Sequence, residues 1–299
     1  MLGQMLAVLV AACWSQNSLV YAYAGRRVGS NAVTHFRLWV ALPAIMLVHL
    51  AFTGALLPLN LTSPAYIYLS ISGLAGFCVA DLCIFKAFVD LGPRETLVIL
   101  TISPIFSAVG SWFLLAETLT WIQVSGIILT VAGIGWVLWA ESRQPGGGRP
   151  TDKRRILKGA LYALAGSISQ AAGMILAKYG MESGAHPVSA NLIRIAAGLA
   201  GLVLFAALRG QFLADFKKMK DTRALLLIAS GALIGPVLAL ILTLYAFTVA
   251  PVGVITAIMQ MSPIMLLPFD RWILKKRIPS GAVFGTFLAV GGAVVLFIG

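Results

Sequence analysis

Long apolar runs recur along the whole chain, and they constrain its fold more than any other feature. The sequence is 60% hydrophobic and only 11% charged. Within the hydrocarbon of a bilayer every backbone N–H and C=O must be satisfied by the protein itself, so apolar runs of about 20 residues cross it as α-helices. The composition therefore excludes a soluble domain and predicts an all-α polytopic membrane protein.

Ten of these runs are close to the length that a transmembrane helix needs. We predict spans at 3–23, 31–52, 66–89, 95–115, 120–140, 157–177, 188–208, 224–248, 253–273 and 280–298. Residues 141–156 are rich in Gly, Pro and charge, which is typical of a linker, here a cytoplasmic one. The predicted domains are a first five-helix unit at 1–140 and a second at 157–299.

The second unit repeats the first. The segment 87–135, which begins at Ala87, is matched without a gap 159 positions later by the segment that begins at Ala246. The identities include a Ser-Pro pair and two glycines: Ser103-Pro104 meets Ser262-Pro263, and Gly126 and Gly133 meet Gly285 and Gly292. Such a match indicates an internal duplication. Because each unit has an odd number of spans, the ten helices are predicted to form two inverted five-helix repeats.

The two Ser-Pro pairs predict helices that are broken at matching places. Pro104 and Pro263 each delete a backbone hydrogen bond inside an apolar run, and the freed carbonyl must find another partner. Alternating-access carriers use such breaks to build a site at mid-membrane. Ser103, Gln260 and Ser262 could cap the freed carbonyls or could offer themselves to a ligand.

These features resemble the signature of EamA-type carriers in the drug/metabolite transporter superfamily. The residues that carry the resemblance are Ala87-Phe88, Ser103-Pro104, the run LAETLT at 115–120, Gln123, Gly126 and Gly133. The resemblance covers essentially the whole chain and implies a carrier of amino acids, related metabolites or drugs. The second repeat departs from the pattern because Lys276 stands where the first has Glu117, so any role of that acidic residue belongs to one half.

The basic residues predict an orientation in the membrane. Of the 22 lysines and arginines, 18 lie in or beside the odd-numbered loops, and the loops of the opposite face carry only Lys178. The positive-inside rule then places these loops in the cytoplasm and both termini outside, in what we expect to be a bacterial inner membrane. The resemblance implies the reverse, since many family members are described with both termini inside. The net charge of +12 thus indicates orientation and not nucleic-acid binding.

Asp81 is the sharpest functional candidate because it lies deep in the third span, where a charge is costly. Its carboxylate could titrate a proton or bind a substrate amine. It could equally make a structural pair with Lys86 or Arg37. His35 could titrate near neutral pH and act with Asp81 in coupling, or it could be a satisfied buried histidine.

Arg37 and Arg194 occupy matching places in the second helix of each unit. An arginine can hold a carboxylate or a phosphate with two hydrogen bonds. Its long stem can also carry the charge to the membrane interface. Both interpretations stay open for this pair.

Polar side chains stand in the middle of the first and sixth spans. Trp14, Ser15 and Gln16 lie in the first, and the sixth has Ser167, Ser169 and Gln170, of which Ser169-Gln170 aligns with Ser15-Gln16. Such side chains can bind helices together, but their recurrence in both halves favours a cavity lining. The predicted substrate cavity contains Trp14, Ser15, Gln16, Ser169 and Gln170 together with Asp81, Ser103, Arg194, Gln260 and Ser262.

Small residues line one side of the fifth and tenth spans. The stripes are Gly126, Thr130 and Gly133 in the fifth span, and Gly281, Gly285, Ala289 and Gly292 in the tenth. Small residues let a neighbouring backbone approach closely, so we predict a packing scaffold, with a homodimer face left open. Thr120 and Gln123 have capping-box spacing, which predicts the start of the fifth span.

The sequence favours a secondary exporter of small organic metabolites, such as amino acids or related compounds, that works by alternating access around a central cavity. No HExxH, GxSxG or P-loop pattern is present, which argues against an enzyme and against ATP-driven pumping. Cys13, Cys78 and Cys83 lie inside apolar runs, so no metal or cofactor is expected. The expected partners are a small-molecule substrate and the lipid bilayer. The alternative is a structural or regulatory membrane subunit without transport activity of its own.

Overall fold

The regular structure of the protein is helical throughout the residues that the computed structural model describes. These residues are 2–103, 105–106, 120–142, 153–182, 184–218, 220–249, 258–273 and 278–298. The predicted all-α class is confirmed.

Five helices are described in the first half. They are α1 (Leu2–Val28), α2 (Ser30–Thr53), α3 (Ser63–Asp90), α4 (Pro93–Leu100) and α5 (Trp121–Ser142). Thr120 and Gln123 form the predicted capping box before α5: Thr120 N donates to Gln123 Oε1 at 2.9 Å, and Gln123 N donates to Thr120 Oγ1 at 3.2 Å. These two bonds satisfy N–H groups that the first turn of a helix leaves free.

Six helices are described in the second half. They are α6 (Lys153–Glu182), α7 (Pro187–Leu208), α8 (Phe212–Lys218), α9 (the consecutive segments Thr222–Ala232, Leu233–Ala239 and Leu240–Val249), α10 (Ser262–Pro268 and Phe269–Ile273) and α11 (Ser280–Ile298). The short helix α8 was not predicted. Phe212 and Phe216 pack their rings against each other at 5.0 Å, and Phe216 meets Phe36 of α2 at the same distance.

Within the described ranges, seven helices are long and apolar enough to cross a membrane. They are α1, α2, α3, α5, α6, α7 and α9, and α11 contains a shorter apolar stretch, Ser280–Val295. This confirms a polytopic membrane protein. The predicted spans at 95–115 and 253–273 are described only in part, so the total of ten stays a prediction.

The predicted linker at 141–156 is helical at both of its ends. Helix α5 continues to Ser142, and α6 already begins at Lys153. Lysine and arginine are good helix formers, so the basic run at the start of α6 extends that helix beyond the apolar segment. The domain boundaries otherwise stay a prediction.

Helices α3 and α9 each contain a seven-residue π-helical segment, and the two lie at corresponding positions. They are Leu74–Ala80 and Leu233–Ala239, which stand at the same offset as the duplicated sequence. A π-helical turn disturbs the regular backbone hydrogen bonding and is common near functional sites. Side chains from other helices reach both segments: Ser169 Oγ donates to Ala75 O at 2.8 Å, and Asn191 Nδ2 donates to Pro236 O at 3.1 Å.

The two halves contact each other crosswise. Helix α3 packs on α6, where Ser72 Oγ donates to Gly173 O at 2.5 Å. Helix α9 packs on α1, where a Cβ placed at Gly231 would lie 2.7 Å from Tyr21 Cε1. Each half therefore sets the helix with the π-helical segment against the other half's first long helix.

The small-residue stripes of α5 and α11 face each other. A Cβ placed at Gly133 would lie 2.7 Å from Ala289 Cα, and one placed at Gly292 would lie 2.6 Å from Thr130 Oγ1. No side chain fits at such distances, so glycine is required for the close packing of the two backbones. The stripes are covered within the chain, and a homodimer stays a prediction.

Candidate substrate site

Two of the candidate residues form a buried ion pair between α2 and α3. Arg37 Nη2 donates to Asp81 Oδ2, and the side chains are 2% and 11% exposed. Lys86, the other partner considered for Asp81, instead lies with its Nζ 3.3 Å from Asp90 Oδ2. The stem of Arg37 therefore does not carry its charge to the interface.

Aromatic rings surround the guanidinium group of Arg37. Its Cζ lies 4.9 Å from the ring centroid of Phe85, 5.5 Å from that of Phe77 and 5.9 Å from that of Tyr21. A cation near an aromatic ring is stabilised by about 0.5–2 kcal/mol, depending on how well the pair is desolvated. The rings of α1 and α3 thus hold Arg37 in place and shield it from lipid.

Arg194 of α7 approaches the same ring of Phe77. Its Cζ lies 5.2 Å from that ring centroid, and the residue is 9% exposed. Among the described residues, no carboxylate lies within ion-pair distance of it, and its Nε has no acceptor. The one hydrogen bond described for its guanidinium is a weak one, from Nη2 to Met174 Sδ at 3.9 Å.

The two arginines therefore differ in how their charge is balanced. An arginine at the centre of a transmembrane helix costs about 2.5–3.5 kcal/mol on insertion scales. Asp81 offsets this cost for Arg37. Over the described residues the cluster of Arg37, Asp81, Phe77 and Arg194 carries one more positive than negative charge, which suits it to an anionic ligand.

Further polar atoms of α1 and α7 are buried without a partner among the described residues. They belong to Gln16 and Asn17 of α1 and Asn191 of α7: Gln16 Oε1, Asn17 Oδ1 and Nδ2, and Asn191 Oδ1. Buried polar groups are nearly always hydrogen-bonded, so an orphan group marks a place for water or a ligand. Both ring nitrogens of His35 are also buried without a described partner, and its ring lies 5.7 Å from that of Phe212 in α8.

The candidate serines join helices. Ser15 Oγ lies 2.8 Å from both Ala11 O and Ser262 O. Ser103 Oγ donates to Ser167 O at 3.3 Å. Together with the Ser169 bond to α3, these contacts favour the helix-binding interpretation of Ser15, Ser103 and Ser169.

Ser262 acts at the helix break made by Pro263, the residue that follows it. Pro263 cannot donate to Met259 O, four residues earlier, and Ser262 Oγ lies 2.9 Å from that oxygen. The hydroxyl thus replaces the lost backbone donor, as the capping interpretation predicts. Gln260 is half-buried beside it, whereas Pro104 and Glu117 lie outside the described residues.

The contacts correct the alignment of the first and sixth spans. Ser167, rather than Ser169, is the counterpart of Ser15, because each bonds the carbonyl four residues before it and meets the Ser-Pro segment of the other half. Asn17 then corresponds to Ser169, and both lie against a π-helical segment. Trp14 also reaches α9, 3.6 Å from a Cβ placed at Gly235, and Gln170 is half-buried.

Sequence reasoning missed Phe77 and Asn191. A phenylalanine in an apolar span looks like any lipid-facing residue, and no pattern marks it as the meeting point of two arginines. Asn191 could have been found, since it stands three residues before Arg194 in a span with few polar residues.

Among the described residues, two ion pairs join the halves at one end of the helices. Arg27 Nη2, at the end of α1, lies 2.7 Å from Asp221 Oδ2, just before α9. Arg155 Nε, near the start of α6, lies 3.2 Å from Asp90 Oδ1, at the end of α3. The N–H of Ala224 and the side chain of Arg27 hold the pKa of Asp221 below its usual value. Among the described residues, no group of three or more His, Cys, Asp or Glu could hold a metal ion.

Comparisons with known proteins agree with this architecture. The model of the EamA-like transporter family matches residues 1–139 and 157–298. A solved structure described only as "Crystal structure of protein" has the same fold, with a TM-score of 0.61 and 19% sequence identity over 98% of this chain and 95% of that chain. No curated protein matches the sequence. Since the family model covers nearly the whole chain, the protein is a member of the EamA-like transporter family and thus a membrane transporter of the drug/metabolite superfamily type.

Proposed function

We propose that the protein is a secondary transporter that exports small organic metabolites such as amino acids or related compounds. The observation that carries the proposal is the buried polar cluster of Arg37, Asp81, Phe77 and Arg194, which joins helices from both halves. A scaffold that only held the membrane protein together would gain nothing from a second buried cation, because burying an unbalanced charge is costly.

We propose further that the chain is built of two inverted five-helix repeats that rock against each other. The matching π-helical segments and the crosswise contacts of α3 with α6 and of α9 with α1 support this. Because the site takes Asp81 from one half and Arg194 from the other, a relative motion of the halves would change which side of the membrane reaches it.

Asp81 is our candidate for coupling. Arg37 contacts its Oδ2, so Oδ1 is the oxygen that could take a proton or a substrate amine. Protonation of Asp81 would weaken the pair with Arg37 and so link proton binding to the arrangement of α2 and α3. His35, also in α2, is the second titratable group considered for this role.

The transport proposal is tested with purified protein in liposomes that are loaded with a pool of isotope-labelled amino acids. We expect saturable efflux that protein-free liposomes lack and that Asp81→Asn reduces or uncouples from an imposed pH gradient. Folded protein that gives no saturable flux of any pool member would contradict the proposal.

A growth screen extends the test to living cells. Overexpression of an exporter should protect cells against toxic amino-acid analogues, whereas overexpression of Asp81→Asn at the same level should not. Equal sensitivity with and without the wild-type protein, across the analogue panel, would count against export of this substrate class.

The proposed orientation has both termini outside a bacterial inner membrane. The clustering of lysine and arginine in the odd-numbered loops supports it. Protease treatment of spheroplasts that carry an epitope at the N-terminus should remove the epitope. An epitope that stays protected until the spheroplasts are lysed would show that the N-terminus lies in the cytoplasm.

A further inference from the structure

We propose that Arg194 is the anion-binding residue of this site, and that the transported molecule carries a carboxylate or a phosphate group. The inference rests on the proposed transport function and names the chemistry of its substrate. It is carried by the position, the contacts and the charge balance of Arg194 among the described residues.

The backbone of Arg194 is fixed against α3. A Cβ placed at Gly73 would lie 2.8 Å from Arg194 Cα, and one placed at Gly198, one turn along α7, would lie 2.5 Å from Phe77 Cβ. Glycine at both positions lets the two helices touch, so α7 is not free to slide and carry Arg194 towards the membrane surface. The charge is held in the interior by packing.

The guanidinium group lies over the π-helical segment of α3. A Cβ placed at Gly76 would lie 3.3 Å from Arg194 Nη2, and the ring of Phe77 stands beside the group with its centroid 5.2 Å from Cζ. A larger residue at position 76 would crowd the guanidinium. The backbone thus makes room for the group without supplying a strong acceptor.

Asp81, the acidic side chain of this cluster, serves the other arginine. Asp81 stands one helical turn after Phe77 and pairs with Arg37. Met174 Sδ, at 3.9 Å from Nη2, is a weak acceptor, and Nε has none among the described residues. A buried donor fork without a strong acceptor is what a bidentate oxyanion would complete.

The chemistry points to carboxylate or phosphate because both present two oxygens at the spacing of a guanidinium edge. A neutral amide or alcohol presents one acceptor and no charge. We therefore expect the site to distinguish an acid from its amide or ester, and to do so through Arg194 more than through Arg37.

The test uses full-length protein in proteoliposomes and in detergent, with matched probe pairs. The carboxylate arm compares the amino acids with their amides, and the phosphate arm compares glycerol 3-phosphate with glycerol. The wild-type protein should bind and transport either the amino acids or glycerol 3-phosphate, and should not bind or transport the corresponding amides or glycerol. Arg194→Gln should weaken that binding at least about tenfold, as expected for a lost charge-assisted hydrogen bond, and should equalise acid and amide.

Arg209→Gln is the matched control. Arg209 stands at the end of the same helix with its Cζ 4.4 Å from the centroid of Phe205, but it is exposed. Its substitution should leave the preference for acids unchanged. Arg194→Lys keeps the positive charge but loses the paired N–H donors of the guanidinium, so its preference for acids over amides should be weaker than that of the wild type. If the glutamine variant does not fold, this weakening in the lysine variant decides the test.

The outcomes separate this inference from the transport proposal. Saturable flux of amides or glycerol that equals the flux of their acids would overturn the role of Arg194 and leave transport standing. A preference for acids that survives in both Arg194 variants would also overturn it. Absence of any flux and of any binding would overturn both.

Discussion

The two halves of the molecule place an arginine in the interior at corresponding helices but treat its charge differently. In the first half Arg37 pairs with Asp81, whereas in the second half no described carboxylate lies within ion-pair distance of Arg194. At the offset of the duplication, Leu240 stands where the first half has Asp81, and Pro236 stands where it has Phe77. The π-helical backbone is the same in both segments.

This difference teaches that the scaffold and the site have diverged to different degrees. Backbone features that need only small or apolar residues, such as the π-helical segments and the glycine stripes, are present in both halves. The charged residues differ between the halves: both halves have a buried arginine, but only the first has the aspartate that balances it. An anion-binding site requires such asymmetry, because two balanced pairs would leave no charge for a ligand.

The largest effect should follow from breaking the balanced pair. Asp81→Ala leaves Arg37 buried without its partner, and we expect a loss of about 3–5 kcal/mol in unfolding free energy. Arg37→Met combined with Asp81→Ala should restore most of it, since neither charge remains. Unfolding in detergent with increasing denaturant measures both. A double variant as unstable as the single one would show that the pair is not the cause.

A smaller loss of stability, equal in the two halves, should follow from substitutions in the glycine stripes of α5 and α11. Gly133→Ala and Gly292→Ala each force a Cβ against the facing backbone of α11 or α5, and each should cost about 1–3 kcal/mol. Gly135→Ala and Gly291→Ala are matched controls, because a Cβ at either position meets nothing within 4 Å. Thermal unfolding of the four variants compares them. A marked difference between Gly133→Ala and Gly292→Ala would break the equivalence of the stripes.

Removal of Arg194, whose charge is not balanced by a described carboxylate, should instead raise the unfolding free energy. Arg194→Gln relieves the insertion cost of an arginine but loses the contact with Phe77, for a net gain of about 1–2 kcal/mol in the ligand-free protein. Arg37→Gln should instead destabilise, since it leaves Asp81 unpaired. The same unfolding assay applies. A loss of stability in Arg194→Gln comparable to that in Arg37→Gln would mean that Arg194 has a structural partner.

The smallest effect concerns the exposed pair of Arg27 and Asp221. The pKa of Asp221 is lowered in the folded protein, so its charge stabilises the fold above the unfolded pKa, and this contribution is lost as the pH falls through the folded pKa. Asp221→Asn keeps a helix-capping side chain and removes the charge. Its melting temperature should lie below that of the wild type at neutral pH and meet it in acid. A difference in melting temperature that persists in acid would show that the effect comes from the helix-capping hydrogen bond and not from the charge.

Much of the architecture followed from the sequence because its causes are local. Apolar runs indicated the helices, the Thr120 and Gln123 spacing indicated the start of α5, and the glycine stripes indicated that α5 and α11 each pack closely on a neighbour. Each of these signals depends on residues that are close in the chain.

The site could be predicted only in part because it depends on contacts between distant helices. Asp81 and Arg37 were recognised by the cost of their charge, but the choice between Arg37 and Lys86 as partner needed the crossing of α2 and α3. Phe77 has no polar atom and gave no signal. The serines of the first and sixth spans were aligned two positions apart from their true partners, since polar residues cluster there and either alignment pairs some of them.

The central claim is that the polar cluster between the halves is reached in turn from both sides of the membrane. Gln16, whose buried Oε1 has no described partner, is a suitable reporter in the polar middle of α1. Gln16→Cys, in a protein whose native cysteines Cys13, Cys78 and Cys83 are replaced, should react with a membrane-impermeant thiol reagent in both right-side-out and inside-out vesicles. Reaction from neither side would show that the cluster is dry packing and would contradict the account.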